Sequence, residues 1–337
     1  MGTGELDRRT GHVDRAFTRF NDALKLIESQ ETAAAHRLAS RTFYELAYLQ
    51  IYRGDAERAL EKLARSQVEA DACGDSVGAG IARALGAAVR SEEGVLHEPI
   101  ETLAAEARNF TALAQSEELK RNGRHVFANR WRVNCDIHSM QALLAAGEID
   151  RAARAYDDYV RSDPNPSRLG NPWLAFTGAC IALARGHVEQ AATLAIQCRE
   201  AMPKPIEFQE AVASVIALYG VISLVRNDTE RAREAFVEAN NLDPALRNAK
   251  GQGWAALGLA IIALESSDRS KALDVLEVGI ARCARCCAPV RRALMEMRED
   301  VVEGSVRLGE ELRADLRALT GPLGRWAGSA HRVSRVG

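Results

Sequence analysis

The chain has 337 residues, 47% of them hydrophobic and 27% charged, with a net charge of -2 and aromatics at 5%. That apolar content excludes a disordered chain, and the charge balance excludes a protein that holds nucleic acid by bulk positive charge. Fifty-eight alanines, set against scarce aromatic and β-branched residues, favour helices over strands and predict an all-α fold.

The N-terminal stretch, residues 1–9, carries Glu5, Asp7, Arg8 and Arg9 and lacks the apolar core of a secretory signal. The longest uncharged stretches, residues 171–184, 211–225 and 251–264, are shorter than the roughly 20 apolar residues that span a bilayer. Seven cysteines at irregular positions fit reduced thiols better than a disulfide framework, so the sequence predicts a cytoplasmic protein in which the sequons at Asn109 and Asn227 carry no meaning. The excess of 38 Arg over 6 Lys is that of a GC-rich bacterial genome.

One pattern recurs along the chain: a small turn residue, a charged stretch, then Ala five positions on. It reads Gly11 with Ala16, Gly54 with Ala59, Gly147 with Ala152, Gly186 with Ala191, Asn227 with Ala232 and Ser267 with Ala272. A degenerate copy at Gly94 has Pro99 in place of Ala. A larger residue follows four positions later as Phe20, Leu63, Tyr156, Phe236 and Leu276, and three copies stop at Pro164, Pro203 and Pro244. Gly or Asn accepts the positive φ of a tight turn between antiparallel helices. Ala permits their close approach, the large residue one turn on fills the remaining space, and Pro ends the helix.

This arrangement resembles the tetratricopeptide repeat, most closely over residues 220–244 with Asn227, Ala232, Phe236, Ala239 and Pro244. The resemblance implies a right-handed superhelical α-solenoid of stacked antiparallel helix pairs. The turns lie 43, 40, 53, 39, 41 and 40 residues apart, longer than the family's 34, as in the repeat arrays of large bacterial transcriptional and signalling regulators. The expected organisation is a solenoid over residues 1–287 with about seven helix-turn-helix units, a capping helix region over 288–319, and a flexible basic tail over 320–337. The first unit is truncated, which leaves two readings open: a natural short cap, or a chain cut from a longer protein.

In the resembled family the first helix of each pair lines the concave groove, which places residues thirteen, ten and six before each turn on the inner face. These are Arg41, Tyr44 and Tyr48; Asn134, Ile137 and Gln141; Trp173, Phe176 and Cys180; and Trp254, Leu257 and Ile261, while the repeats before Gly94 and Asn227 offer mainly Ala, Val and Ser. The Lys and Asn with which some members grip a terminal carboxylate are missing, and the aromatic inner face suits an apolar helix, an extended peptide or a small effector. The alternative is that these rings pack between repeats. An apolar groove needs a cover, for which the candidates are an external peptide or effector, a second copy of the chain in a homodimer, or the chain's own segment 288–319.

A basic strip, Lys120, Arg121, Arg124, Arg130 and Arg132, carries no acid and is interleaved with Phe127 and Trp131. It suits phosphate or an acidic partner, or else a solvated helix balanced by acidic neighbours; nucleic acid is disfavoured. Cys283, Cys286 and Cys287 share a helical face but lack the fourth ligand of a structural zinc site, so neither metal nor cofactor is expected. No phosphate-loop, nucleophile-elbow or HExxH motif occurs, and a chance Cys135/His pairing with His125 or His138 is the nearest thing to a nucleophile. The sequence therefore predicts a non-enzymatic module that binds a protein, peptide or effector, as the sensing or regulatory part of a bacterial regulator. The alternatives are a constitutive structural adaptor and, further off, a catalytic domain on a helical-repeat scaffold.

Overall fold

The computed structural model describes residues 2–9, 12–27, 29–162, 171–201, 209–242 and 249–305. Gly11, Pro164, Pro203, Pro244, residues 306–319 of the expected capping region and the expected tail 320–337 lie outside them. Among the described residues every regular element is an α-helix. They run α1 Gly2–Arg9, α2 Val13–Ile27, α3 Ala33–Tyr52, α4 Ala56–Ala72, α5 Ser76–Glu92, α6 His97–Gln115, α7 Glu117–Arg121 and α8 His125–Ala145. The chain continues with α9 Ile149–Ser162, α10 Pro172–Ala184, α11 Val188–Ala201, α12 Gln209–Val225, α13 Thr229–Asn240, α14 Ala249–Glu265, α15 Arg269–Arg282 and α16 Ala288–Glu303. Contacts divide the chain into two compact units, Met1–Ala142 and Leu143–Gly337. None of these helices is long and apolar enough to cross a membrane.

The described turn residues of the repeat adopt left-handed backbone: Gly54, Gly94, Gly147 and Gly186 at φ 67°, 88°, 73° and 79°, and Asn227 and Ser267 at 63° and 60°. Three of them are followed at once by aspartate, and Asp55, Asp228 and Asp268 accept the backbone N–H of Arg58, Arg231 and Lys271. One residue thus ends a helix and the next starts its partner, which lets the two run back antiparallel within a minimal turn. The enlarged spacing between Gly94 and Gly147 is taken up by the inserted α7 and by α8, which is 21 residues long.

Alanine at the repeat position is fully buried in all six copies, Ala16, Ala59, Ala152, Ala191, Ala232 and Ala272. In three copies, at Phe20, Tyr156 and Phe236, the large residue that follows packs against glycine on a neighbouring first helix. Phe236 of α13 is the clearest case, because its ring fills the space that side chains at Gly220 of α12 and Gly258 of α14 would need. Tyr156 of α9 occupies the space beside Gly178 of α10 in the same way. At Gly251 the backbone of α14 comes so close to that of α12 at Ala213 and Ser214 that no side chain fits between them. The last described helix, α16, packs on α14 and α15, with Val290 against Gly253 and Leu294 against Gly279. It ends at Gly304, φ 75°.

Candidate functional site

In the first unit, α3 presents Arg37, Arg41, Tyr44 and Tyr48 at intervals of four, three and four residues, so they form one stripe along the helix. Tyr44 and Tyr48 meet edge to face at 5.0 Å between ring centroids, and Tyr44 meets Trp131 of α8 at 6.2 Å. The first helix between these two in chain order, α5, carries Ile81, Ala84 and Ala88 at its inner positions. None of the three is aromatic, and the two alanines leave room for rings from either side to touch. Both tyrosines remain half-buried, so the cluster keeps an accessible face.

Charged groups surround these rings. Arg8 of α1 lies over the Tyr48 ring at 5.6 Å and pairs with Glu45 at 2.7 Å. Glu45 is buried, and desolvation lifts its carboxyl above the usual carboxylate range against the opposing pull of Arg8. Burial, reinforced by Tyr48, raises the Tyr44 phenol well above its ordinary value, so it stays a neutral hydrogen-bonding group. Arg41 donates to Glu5 at 3.0 Å. Asp75 caps α5 by accepting the Gly78 N–H, and it also pairs with Arg124 and lies 3.9 Å from Arg37. Counting groove positions back from the turns misses Arg37, Asp75, Arg8 and Glu45. The signal that points to Arg37 is the length of α3, which extends one helical turn beyond the outermost counted position.

The second unit repeats the scheme with different chemistry. Trp173 and Phe176 of α10 meet edge to face at 5.8 Å, and Phe176 stacks on Trp254 of α14 at 6.4 Å with the rings 11° from parallel. The helix packed between α10 and α14 is α12, whose inner positions are Ser214, Ala217 and Val221. Phe176 and Trp254 are each only 4% exposed, while Trp173 is half-buried at the start of α10. Lys250 lies 5.6 Å from the Trp254 ring centroid.

The remaining sequence-predicted residues fall into two groups. Asn134 and Gln141 are half-buried on α8, and Gln141 contacts the His138 ring at 3.3 Å. The basic residues divide between two elements. Lys120 pairs with Glu117 and Arg121 bonds the Glu117 carbonyl on α7, whereas Arg124, beyond the turn at Gly123, reaches Asp75. Arg132 pairs with Asp136, and Arg130 stays exposed without an ion pair among the described residues. Phe127 is 57% exposed and Trp131 buried, so the interleaved rings do not share an environment.

Six of the seven cysteines are buried, Cys73 being the exception. Burial pushes the Cys180 and Cys198 thiols up to about 12 and that of Cys135 higher still, which suppresses the nucleophilic thiolate. Cys283, Cys286 and Cys287 are buried, with the Cys283 thiol donating to the Ala249 carbonyl at 3.4 Å. Among the described residues no group of three or more His, Cys, Asp and Glu is placed to hold a metal ion.

No protein-family model matches the chain, and no curated protein matches it in sequence. Its fold does match solved structures. The structure of NprR in complex with its cognate peptide NprX superposes with a TM-score of 0.63 at 15% identity, covering 94% of this chain and 84% of that one. Yeast Tom70 superposes with a TM-score of 0.50 at 14% identity, covering 90% of this chain and 62% of that one. At such identities the likeness is one of fold. With the repeat signature it defines a tetratricopeptide-like helical-repeat protein, an all-α array of stacked antiparallel helix pairs.

Proposed function

We propose that this chain is a non-enzymatic module that binds a peptide or protein segment on the first-unit stripe of Tyr44 and Tyr48, with Trp131 behind it. The observation that carries this reading is the pair of half-buried tyrosines backed by buried Trp131, built from non-consecutive first helices and bordered by arginines. Rigid aromatic faces supply contact area at little cost in conformational entropy, and arginines at the edge supply orientation. The peptide in the NprR structure supports the same reading by analogy of fold. The Trp173, Phe176 and Trp254 rings form a second candidate face, which the burial of Phe176 and Trp254 disfavours. We assign the module to the sensing part of a cytoplasmic bacterial regulator, with α16 capping the last repeat.

The test is an array of short peptides blocked at both ends, followed by calorimetric titration of those retained. Saturable binding that raises the melting temperature and weakens about tenfold or more in Tyr44→Ala is expected. Retention of no peptide, or affinity indifferent to Tyr44→Ala, contradicts the assignment. Concentration-dependent self-association abolished by the same substitution would instead make a second copy of the chain the occupant.

A further inference from the structure

The first-unit stripe is asymmetric in charge. Arg37 and Arg41 of α3 and Arg124 before α8 face Glu5 and Asp75, and Arg41 also feels Glu45, which pairs with Arg8 at 2.7 Å beside Tyr48. Four guanidiniums therefore meet three carboxylates. Asp75 is buried and does not hydrogen-bond both of its arginines: its Oδ1 takes the Gly78 N–H and Arg124, while its Oδ2 stays 3.9 Å from Arg37. Arg37, at 3.9 Å, is beyond hydrogen-bonding distance and makes no hydrogen bond among the described residues. The Arg37 side chain is 56% exposed and that of Arg41 59% exposed, so both present guanidinium donors to solvent one helical turn apart. Tyr44 follows on the same stripe.

We infer that this stripe selects an acidic peptide segment, seating an Asp or Glu side chain on Arg37 and Arg41 with an adjacent apolar or aromatic side chain against Tyr44 and Tyr48. The inference rests on the peptide-binding reading and specifies its ligand. A guanidinium has five N–H donors in a planar fork that matches a carboxylate, and one bond to Glu5 leaves most of the Arg41 fork unused in that geometry. Spacing agrees with the chemistry, because residues three or four apart on a helix lie about 5–6 Å from each other, within reach of neighbouring side chains on an extended peptide. A polyanion such as single-stranded nucleic acid fits less well. Its successive phosphates would meet the carboxylates of Glu5 and Asp75 as well as the arginines, and the chain as a whole is net negative.

The experiment uses the full chain on an array of short peptides blocked at both ends, in which each Asp- or Glu-bearing sequence has an Asn or Gln twin. A labelled single-stranded oligonucleotide serves as a parallel probe. Acidic members should bind about three- to tenfold more tightly than their twins at low salt, with the margin shrinking as salt rises. Arg37→Gln combined with Arg41→Gln should erase that margin, so that acidic members and their neutral twins bind alike. Both side chains are more than half exposed, so an unchanged melting temperature is expected and verifies folding. Arg37→Lys with Arg41→Lys should restore part of the preference. Equal binding of acidic and neutral twins overturns the acid selectivity and leaves peptide binding standing. Binding of no peptide overturns both, and preferential retention of the oligonucleotide overturns the choice of ligand.

Discussion

The two units use one geometric device for different ends. Each places aromatic rings on alternate first helices and none at the matching positions of the helix between, so that rings meet across an intervening repeat. In the second unit the ring pair is stacked and almost wholly buried, beside the Phe236 sockets that hold three consecutive helices together. In the first unit the tyrosines are half-buried, Tyr44 meets Trp131 edge to face, and ion pairs border the rings. The difference teaches that an aromatic at a groove position is not by itself a binding residue. Exposure and surrounding charge decide whether the ring stabilises the array or faces a ligand.

The sharpest way to break that contrast is to empty the second unit's sockets. Phe236→Ala removes a fully buried ring held between Gly220 and Gly258 and should cost about 3–5 kcal/mol in denaturant unfolding. Gly258→Ala adds a methyl into the same ring. The gain of about 1 kcal/mol in helix propensity should be outweighed by an overpacking cost of about 1–3 kcal/mol, giving a net loss. An unchanged or raised stability in Gly258→Ala would mean that the socket is loose.

Next in size is a matched pair of substitutions, one in each unit. Trp254→Ala should cost about 3–5 kcal/mol and leave peptide affinity per folded molecule unaltered. Tyr48→Ala, at a half-buried ring, should cost less than about 2 kcal/mol and weaken peptide binding. Chemical denaturation and calorimetry on the same two proteins would reverse the contrast if the sites were assigned to the wrong units.

A smaller effect concerns Glu45. Its folded-state pKa is raised by burial, so the folded protein holds that proton more tightly than the unfolded chain does. The stability contributed by Glu45 therefore falls as pH rises from the ordinary carboxylate range, about 4.3, through the raised value. Glu45→Gln lacks this dependence. The melting temperature of Glu45→Gln relative to the unsubstituted protein should climb between about pH 4 and pH 7, whereas a flat or falling difference would place the carboxylate in a solvated or strongly paired setting.

The smallest expected effect lies at a turn. Ser267 holds φ 60° where four other turns use glycine, so Ser267→Gly should gain up to about 1 kcal/mol, and Asn227→Gly less, since asparagine tolerates that region better. Thermal melts of the two variants rank them.

The repeat was legible because its determinants are local. A residue that must adopt positive φ, an alanine at a helix crossing and a large side chain one turn later leave a fixed spacing wherever they recur. Residues such as Tyr44, Tyr48 and Trp254 could be located by counting from those turns. Counting could not separate the exposed rings from the buried ones, because the burial of Trp254 depends on Phe176, 78 positions earlier in the chain. The same limit hid Arg37 and Asp75, whose relation joins α3 to the start of α5 and to the turn before α8. The basic strip read as one feature in sequence and divides in space because the turn at Gly123, φ 72°, separates α7 from α8.

The most direct measurement is fluorine NMR of protein labelled with 5-fluorotryptophan, its four tryptophan signals assigned by Trp→Phe substitution and followed as the tightest array peptide is added. Binding on the first-unit stripe should move the Trp131 signal, which lies behind Tyr44, and leave Trp254 in place against Phe176. Movement of Trp173 or Trp254 with Trp131 unchanged would contradict the assignment of the binding face to the first unit.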